Sequence, residues 1–346
     1  MDYFSLISVE NIFQAWEEFK KGKRKKHDVQ VFERNLEDNL FGLQYELAKK
    51  TYRHGNYHQF YVNDPKRRHI HKAEVCDRIV HHLLYKYLYK LFDKTFVYDS
   101  YSCRLDKGTH RAVKRLEYFS RKLSKNYTRD FWSLKLDIKQ FFASVDHEIL
   151  SKFIAKKVKD IDVLWLIGEV INSYSSSEVE KQTKEVLDKT RTVDAKKGIP
   201  LGNLTSQIFA NIYLNQLDRF IKHNLKIKYY LRYADDFMIL DNGASRLLHY
   251  NDILKSLLAE NLKLELHPAK ISFRKFSWGI DFCGYIVLPH YIKPRTKTKR
   301  RIFKKTLNSK ISNQAFQSYL GYFSHANSYN LTQGFKNQLW FTAEGE

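Results

Sequence analysis

The stretch KYYLRYADDFMIL, Lys228 to Leu240, sets two adjacent carboxylates, Asp235 and Asp236, inside an apolar, aromatic run. A buried strand does not tolerate uncompensated charge, so the pair marks a break in the strand or a special environment. The stretch predicts a β-hairpin in which Tyr229 to Tyr233 enters, Ala234-Asp235-Asp236 turns and Phe237 to Leu240 returns. Asp suits turns because it bonds its own backbone, and turn chemistry alone accounts for the pair. A second account requires a cation.

A third carboxylate favours the cation. In FWSLKLDIKQFFASVDHEIL, Leu134, Leu136 and Ile138 take one face of a strand and Lys135 and Asp137 the other. The strand is expected to end near Asp137, before an aromatic turn. Antiparallel pairing of these strands would bring Asp137 beside Asp235 and Asp236. Three gathered carboxylates repel one another unless cations are present, and Mg²⁺ takes oxygen ligands from a few carboxylates plus substrate phosphates. Two such ions about 3.5–4 Å apart clamp the attacking and leaving oxygens of phosphoryl transfer. The rest of the chain is basic, with 60 Lys and Arg against 38 Asp and Glu and a net charge of +22. Such a surplus favours a polyanion, nucleic acid first and an acidic membrane surface second.

Other segments frame these strands. VENIFQAWEEFKKGKRKK predicts one helix and VFERNLEDNLFGLQYELAKK a second, with Leu36, Leu40, Leu43 and Leu47 on one face. A strand pair is expected around Asp64-Pro65, then a long helix carrying Ile79, Leu83, Leu84 and Leu88. Thr109 is expected to cap the helix after Gly108, and Ser206 the helix after the GIPLGN loop. Asp146 is expected to cap the helix after the aromatic turn, with His147 also structural. Residues 174–197 are polar and predict an exposed insertion or hairpin. LKLELHPAKISF and GIDFCGYIVLP read as strands, and the last forty residues as amphipathic helix. Cys76, Cys103 and Cys283 are too dispersed for a metal pattern or a disulfide framework. The start lacks the marks of a signal peptide and no run is long and apolar enough for a membrane span, so a cytoplasmic protein without a membrane partner is expected.

The motifs and their order resemble reverse transcriptases. YADD follows an aromatic strand, LDIKQFFASVDH precedes it, and GIPLGNLTSQIFANIYLNQLD lies between. KRRHIHKAEVCDRIV and SYSCRLDKGTHRAV resemble the two fingers motifs of the bacterial, group II intron-related branch. LHPAK and FCGYIV resemble the closing palm and primer-grip motifs, and SYLGYFSHANSYNL the thumb helix. The resemblance runs from about residue 60 to 335. Within the branch, Leu201-Gly202 followed by Ser206-Gln207 stands where most members carry Gln-Gly and Ser-Pro. That departure resembles the enzymes of diversity-generating retroelements, which copy a template RNA with frequent errors at adenines.

The resemblance implies an α+β right-hand polymerase: N-terminal helices and fingers over 1–130, a palm with an antiparallel sheet over 131–290, and a short helical thumb over 291–346. It implies that Asp137, Asp235 and Asp236, with the Ile138 carbonyl, bind two Mg²⁺, Mn²⁺ being an alternative. Asp236 is the one that often stands back from the metals. Arg68, Lys72 and Arg78 would meet the triphosphate of the dNTP, Phe142 would exclude a 2′-hydroxyl, and Lys270 would lie near the pyrophosphate. Leu201 replaces a polar group beside the nascent pair, and Gly202 lets backbone approach it. The acid-free run from Lys293 to Lys310 would follow the template–primer backbone through Lys293, Arg295, Lys297, Lys299, Arg300, Arg301, Lys304 and Lys305. Implied partners are template RNA, the cDNA or primer strand, dNTPs and a small, oligomeric helical accessory protein. A retron, group II intron-derived or abortive-infection reverse transcriptase is an open alternative, as is a non-catalytic RNA-binding scaffold on the same fold.

Overall fold

The hairpin forms where the sequence places it. In a computed structural model of the chain, which describes residues 2–63, 66–176, 196–308 and 312–344, β4 (Tyr230–Tyr233) and β5 (Asp236–Asp241) pair antiparallel. β3 (Trp132–Asp137) pairs with β5, and β6 (Ser272–Lys275) with β3, giving a sheet of order β4-β5-β3-β6. Two further antiparallel sheets are β1 (His58–Val62) with β2 (Arg68–Lys72), and β7 (Ile280–Phe282), β8 (Tyr285–Leu288) and β9 (Tyr291–Pro294).

The chain divides into two compact units that interleave in sequence. The first comprises Met1–Val97, Ile138–Phe220 and Ser256–Glu265. It holds α1 (Tyr3–Leu6), α2 (Val9–Lys20), α3 (His27–Arg34), α4 (Leu36–Ala48), the β1–β2 hairpin and α5 (Val75–Phe92). It also holds α7 (Phe141–Ser144), α8 (His147–Ala155), α9 (Ile161–Asn172) and α10 (Leu204–Arg219). α5 buries Ile79, Leu83, Leu84 and Leu88, as its periodicity requires.

The second unit comprises Tyr98–Asp137, Ile221–Lys255 and Leu266–Glu346. Its core forms between α6 (Thr109–Leu123), one face of the β4–β5 pair and the β7–β9 sheet. Leu231, Met238 and Leu240 meet Leu116, Phe119, Phe282 and Tyr285 there. α11 (Ala244–Leu262) contributes to both units. At the C-terminal end, α12 (Thr296–Asn308), α13 (Asn313–Ser324) and α14 (Tyr329–Glu344) pack through Ile302, Phe323 and Phe335.

Local differences from expectation are instructive. The second predicted helix is two, because the backbone turns at Asn35 (φ −119°, ψ 47°) between α3 and α4. Gly108 (φ 103°), not Thr109, occupies the cap of α6, and the Thr109 hydroxyl donates to Tyr233 Oη at 3.1 Å. Asn203, not Ser206, precedes α10; Ser206 is buried and donates to the Pro200 carbonyl at 2.6 Å. No strand forms over LKLEL. The turn at Asp64-Pro65 and most of the polar stretch within 174–197 lie outside the described residues.

Candidate active site

Register fixes the carboxylate cluster, all within the second unit. Asp137, the last residue of β3, is the Cα partner of Asp236, the first of β5, and Tyr233 closes the opposite side of Asp236. Residues paired across antiparallel strands project to the same face, so the carboxylates of Asp137 and Asp236 share a face with Lys135. Asp235 sits in the two-residue turn, after Ala234, whose φ is 55°. Asp236 is therefore a strand residue and Asp235 the turn residue.

Two lysines already answer this charge. Lys270 Nζ donates to Asp137 Oδ1 at 2.6 Å, and Lys135 Nζ lies 3.1 Å from Asp236 Oδ2. Lys270 is delivered by a single 3₁₀ turn, Pro268–Lys270, anchored where the His267 N–H donates to the Asp137 carbonyl at 2.8 Å. Burial, and after it the charges of Asp137 and Asp236, push the Asp235 carboxyl above the usual carboxylate range despite Lys270. Burial also raises Asp236, with Asp137 adding to the rise and Lys135 opposing it.

Among the described residues no three Asp, Glu, His or Cys side chains stand ready as a metal cage. The donor set nevertheless fits a hard divalent cation in type and charge. Its donors are carboxylate oxygens at one strand end, two of them disfavoured as anions, and two already draw a cationic Nζ. Asp137 and Asp235 are the residues that would hold such a cation, once Lys270 swings off Asp137. Asp236 is tied to Lys135.

A separate group of the predicted residues lies in the first unit. The 198–203 loop is clipped on both sides: Ile199 N–H donates to the Phe142 carbonyl at 2.7 Å, and Gly198 N–H to Val145 O at 2.8 Å. His71 N–H of β2 donates to the Leu201 carbonyl at 2.9 Å; Asn203 returns the contact through Nδ2 to His71 O at 2.8 Å. Gly202 has φ 114°, and a Cβ there would stand 2.8 Å from Ile70 Cγ2, so only glycine fits. Phe142, Leu201, Gly202 and β2 are thus brought together. Asp146 caps α8, accepting from Ile149 N–H at 3.1 Å and Lys263 Nζ at 2.7 Å, and His147 Nε2 meets Gly198 O at 2.7 Å. Both are structural here.

The remaining residues are dispersed. Arg68 is exposed at the start of β2. Lys72 and Arg78 both hold Asp28, Lys72 Nζ at 2.7 Å. Arg78 also lies against the Phe19 ring, with 14% of its side chain exposed. Burial acts against the Asp28 anion, but the hydrogen bonds and charges of Lys72 and Arg78 outweigh it and hold the carboxyl at about 2. In the C-terminal part, Lys293 and Lys299 line a cleft of about 710 Å³ with Thr296, Ser328 and Tyr329. Lys297, Arg300, Lys304 and Lys305 are exposed on α12, Arg301 is half-buried, and Arg295 is paired with Asp281. Sequence reasoning missed Lys135 as a partner of the aspartates, and Arg232. The signal for Arg232 was its place two residues from buried Tyr230 on an apolar strand face.

Comparison with known proteins gives the family. Residues 62–287 match the family described as reverse transcriptase (RNA-dependent DNA polymerase). The chain belongs to the reverse transcriptase family. The fold is accordingly the right-hand polymerase fold, with antiparallel sheets. The Escherichia coli protein YkfC is 22% identical to this reverse transcriptase family member over 60% of each chain. The group II intron-encoded protein LtrA of Lactococcus lactis is 22% identical over 80% of this chain and 55% of its own. The chain thus spans little more than half the length of these relatives. Among solved structures, apo telomerase from Candida tropicalis superposes with a TM-score of 0.48 at 15% identity, covering 73% of this chain and 50% of that one.

Proposed function

We propose that the chain is an RNA-directed DNA polymerase in which a primer 3′-oxygen attacks the α-phosphate of a dNTP and pyrophosphate leaves. The supporting observation is the register pair Asp137–Asp236 with Asp235 in the adjoining turn, in a chain of net charge +22. Asp137 and Asp235, with the Ile138 carbonyl, would hold two Mg²⁺, and Asp236 would stand behind them. Bound there, the cations would neutralise charge on the phosphates and favour the 3′-alkoxide. Lys270, on leaving Asp137, would be placed to give a proton to pyrophosphate. Phe142 would bar the 2′-hydroxyl, and Leu201 and Gly202 would line the nascent pair. Arg68 and Lys72 would meet the triphosphate after Lys72 leaves Asp28, and Arg78 would brace that region. The basic C-terminal residues would follow the duplex backbone, where positioning does most of the catalytic work.

For the subgroup we propose a diversity-generating retroelement enzyme, copying a template RNA with errors at adenines alongside a small helical accessory protein. Leu201-Gly202 and Ser206-Gln207 support this. The likeness to the group II intron-encoded protein favours a second reading, an intron-derived reverse transcriptase. Primer extension on an RNA template with dNTPs and Mg²⁺ tests the activity, and absence of any extension rejects it. Sequencing the products then separates the subgroups: errors concentrated opposite adenines support the first, an even spectrum the second.

A further inference from the structure

Arg232 lies on β4 next to the turn that carries Asp235, and it is 0% exposed. Its Nη1 donates to the Ala234 carbonyl at 3.0 Å and its Nη2 to Ser100 Oγ at 2.9 Å. The Arg232 N–H donates to the Asp99 carbonyl and the Arg232 carbonyl accepts from Tyr101 N–H, each at 2.9 Å. Residues 99–101 thus run along β4, with Ser100 bridging Arg232 in parallel sense. That segment is itself fixed: Asp99 is buried, with Arg115 Nε at 2.9 Å and Lys222 Nζ at 3.1 Å from its carboxylate.

The turn needs such a hold. Ala234 has φ 55°, a left-handed conformation that a residue bearing a Cβ adopts only when its surroundings enforce it. The Ala234 carbonyl belongs to the peptide unit whose N–H is that of Asp235, so orienting that carbonyl orients the Asp235 backbone directly. A planar guanidinium spans two acceptors set apart; a lysine ammonium is a single point.

We propose that Arg232 is a positioning residue whose guanidinium clamps the Ala234 carbonyl and thereby fixes the direction in which Asp235 presents its carboxylate to a divalent cation. This rests on the polymerase function proposed for the chain, yet metal binding can be measured without polymerisation.

The test uses the full chain carrying Arg232→Lys. Mn²⁺ binding is followed by electron paramagnetic resonance without nucleic acid, and single-turnover primer extension across Mg²⁺ concentrations. Misplacement of a ligand by a fraction of an ångström predicts Mn²⁺ affinity about fivefold to tenfold weaker and an extension rate roughly 10–100-fold lower. The KM for dNTP and the Kd for primer–template stay within about twofold, because the clamp touches neither. Adding Ala234→Gly, which removes the Cβ penalty at that φ, recovers about twofold or more of the Mn²⁺ affinity. Mn²⁺ affinity and rate within about twofold of the parent overturn the proposal. So does a parallel fall of rate, duplex affinity and thermal midpoint, which marks a fold defect. Should Arg232→Lys not fold, Ser100→Ala serves: Mn²⁺ affinity about threefold weaker supports the clamp, and unchanged affinity overturns it. A parent chain that binds Mn²⁺ yet extends no primer rejects the polymerase function and leaves the clamp standing.

Discussion

Asp137 stands directly opposite Asp236 across the β3–β5 pair, yet the two carboxylates answer to different lysines. Lys270, on a short turn with an exposed side chain, can leave Asp137; Lys135, on β3 itself and mostly buried, cannot readily leave Asp236. The aspartates are therefore predicted to be unequal. Asp137→Asn and Asp235→Asn each lower single-turnover extension by on the order of 10²–10³ or more, and Asp236→Asn by clearly less. Equal losses at all three positions, in a rapid-quench assay, contradict that ranking.

Phe142 is half-buried, its ring edge-on to Phe141 at 5.3 Å, and its carbonyl is fixed by Ile199. With the backbone so held, Phe142→Val opens space without moving the loop. The expected result is rNTP incorporation raised roughly tenfold or more relative to dNTP, the scale on which a hydrophobic wall discriminates. Competition between dCTP and CTP on one template reads it.

On the proposed function Leu201 lines the nascent pair, so Leu201→Gln is expected to lower misincorporation opposite template adenine, by roughly tenfold, with little change at other bases. Deep sequencing of cDNA from one defined template decides; identical error spectra from both enzymes end the idea. Gly202→Ala is expected to fail for a different reason, backbone strain at φ 114° plus the contact with Ile70.

Acid is expected to destabilise the first unit through two histidines, His71 and His82. Burial, and then the charge of His69, holds the His71 imidazole down to about 4; burial, and then Lys23, holds His82 at about 4. Their folded values lie below the unfolded one, so between about 6.5 and 4 the unfolded chain binds protons that the folded chain refuses. The stability these residues confer is complete above about 6.5 and declines as pH falls toward 4. His71 is buried, and among the described residues neither ring nitrogen has a hydrogen-bond partner. His71→Phe should therefore flatten the dependence of the thermal midpoint between pH 7 and 5, and an unchanged slope would falsify the assignment.

What could be read from sequence follows from period and chain order. The hairpin at 228–240, the apolar face of β3 and the core face of α5 were all legible, because alternation and helical spacing are local properties. The meeting of Asp137 with the YADD turn was legible only through the assumption of one antiparallel sheet, which the register bears out. Caps were misread at Thr109 and Ser206 because neighbouring Gly108 and Asn203 serve equally well, and tertiary hydrogen bonds decide between them. Arg232 left only its spacing from Tyr230 as a signal, and the pairing of the lysines with the aspartates left none, since a charged residue in a strand reads as solvent-facing until its partners from distant segments are known. Lys72 and Arg78 illustrate the same limit, as Asp28 lies more than forty positions away.

The reciprocal bonds between Leu201, His71 and Asn203 make the 198–203 loop an extension of β2 rather than a free connector. A wall laid in that way keeps its course when its facing is changed. On the proposed function, substitutions at Leu201 would retune which base pairs are accepted while the masonry beneath stays in place, leaving copying accuracy open to evolutionary adjustment one side chain at a time.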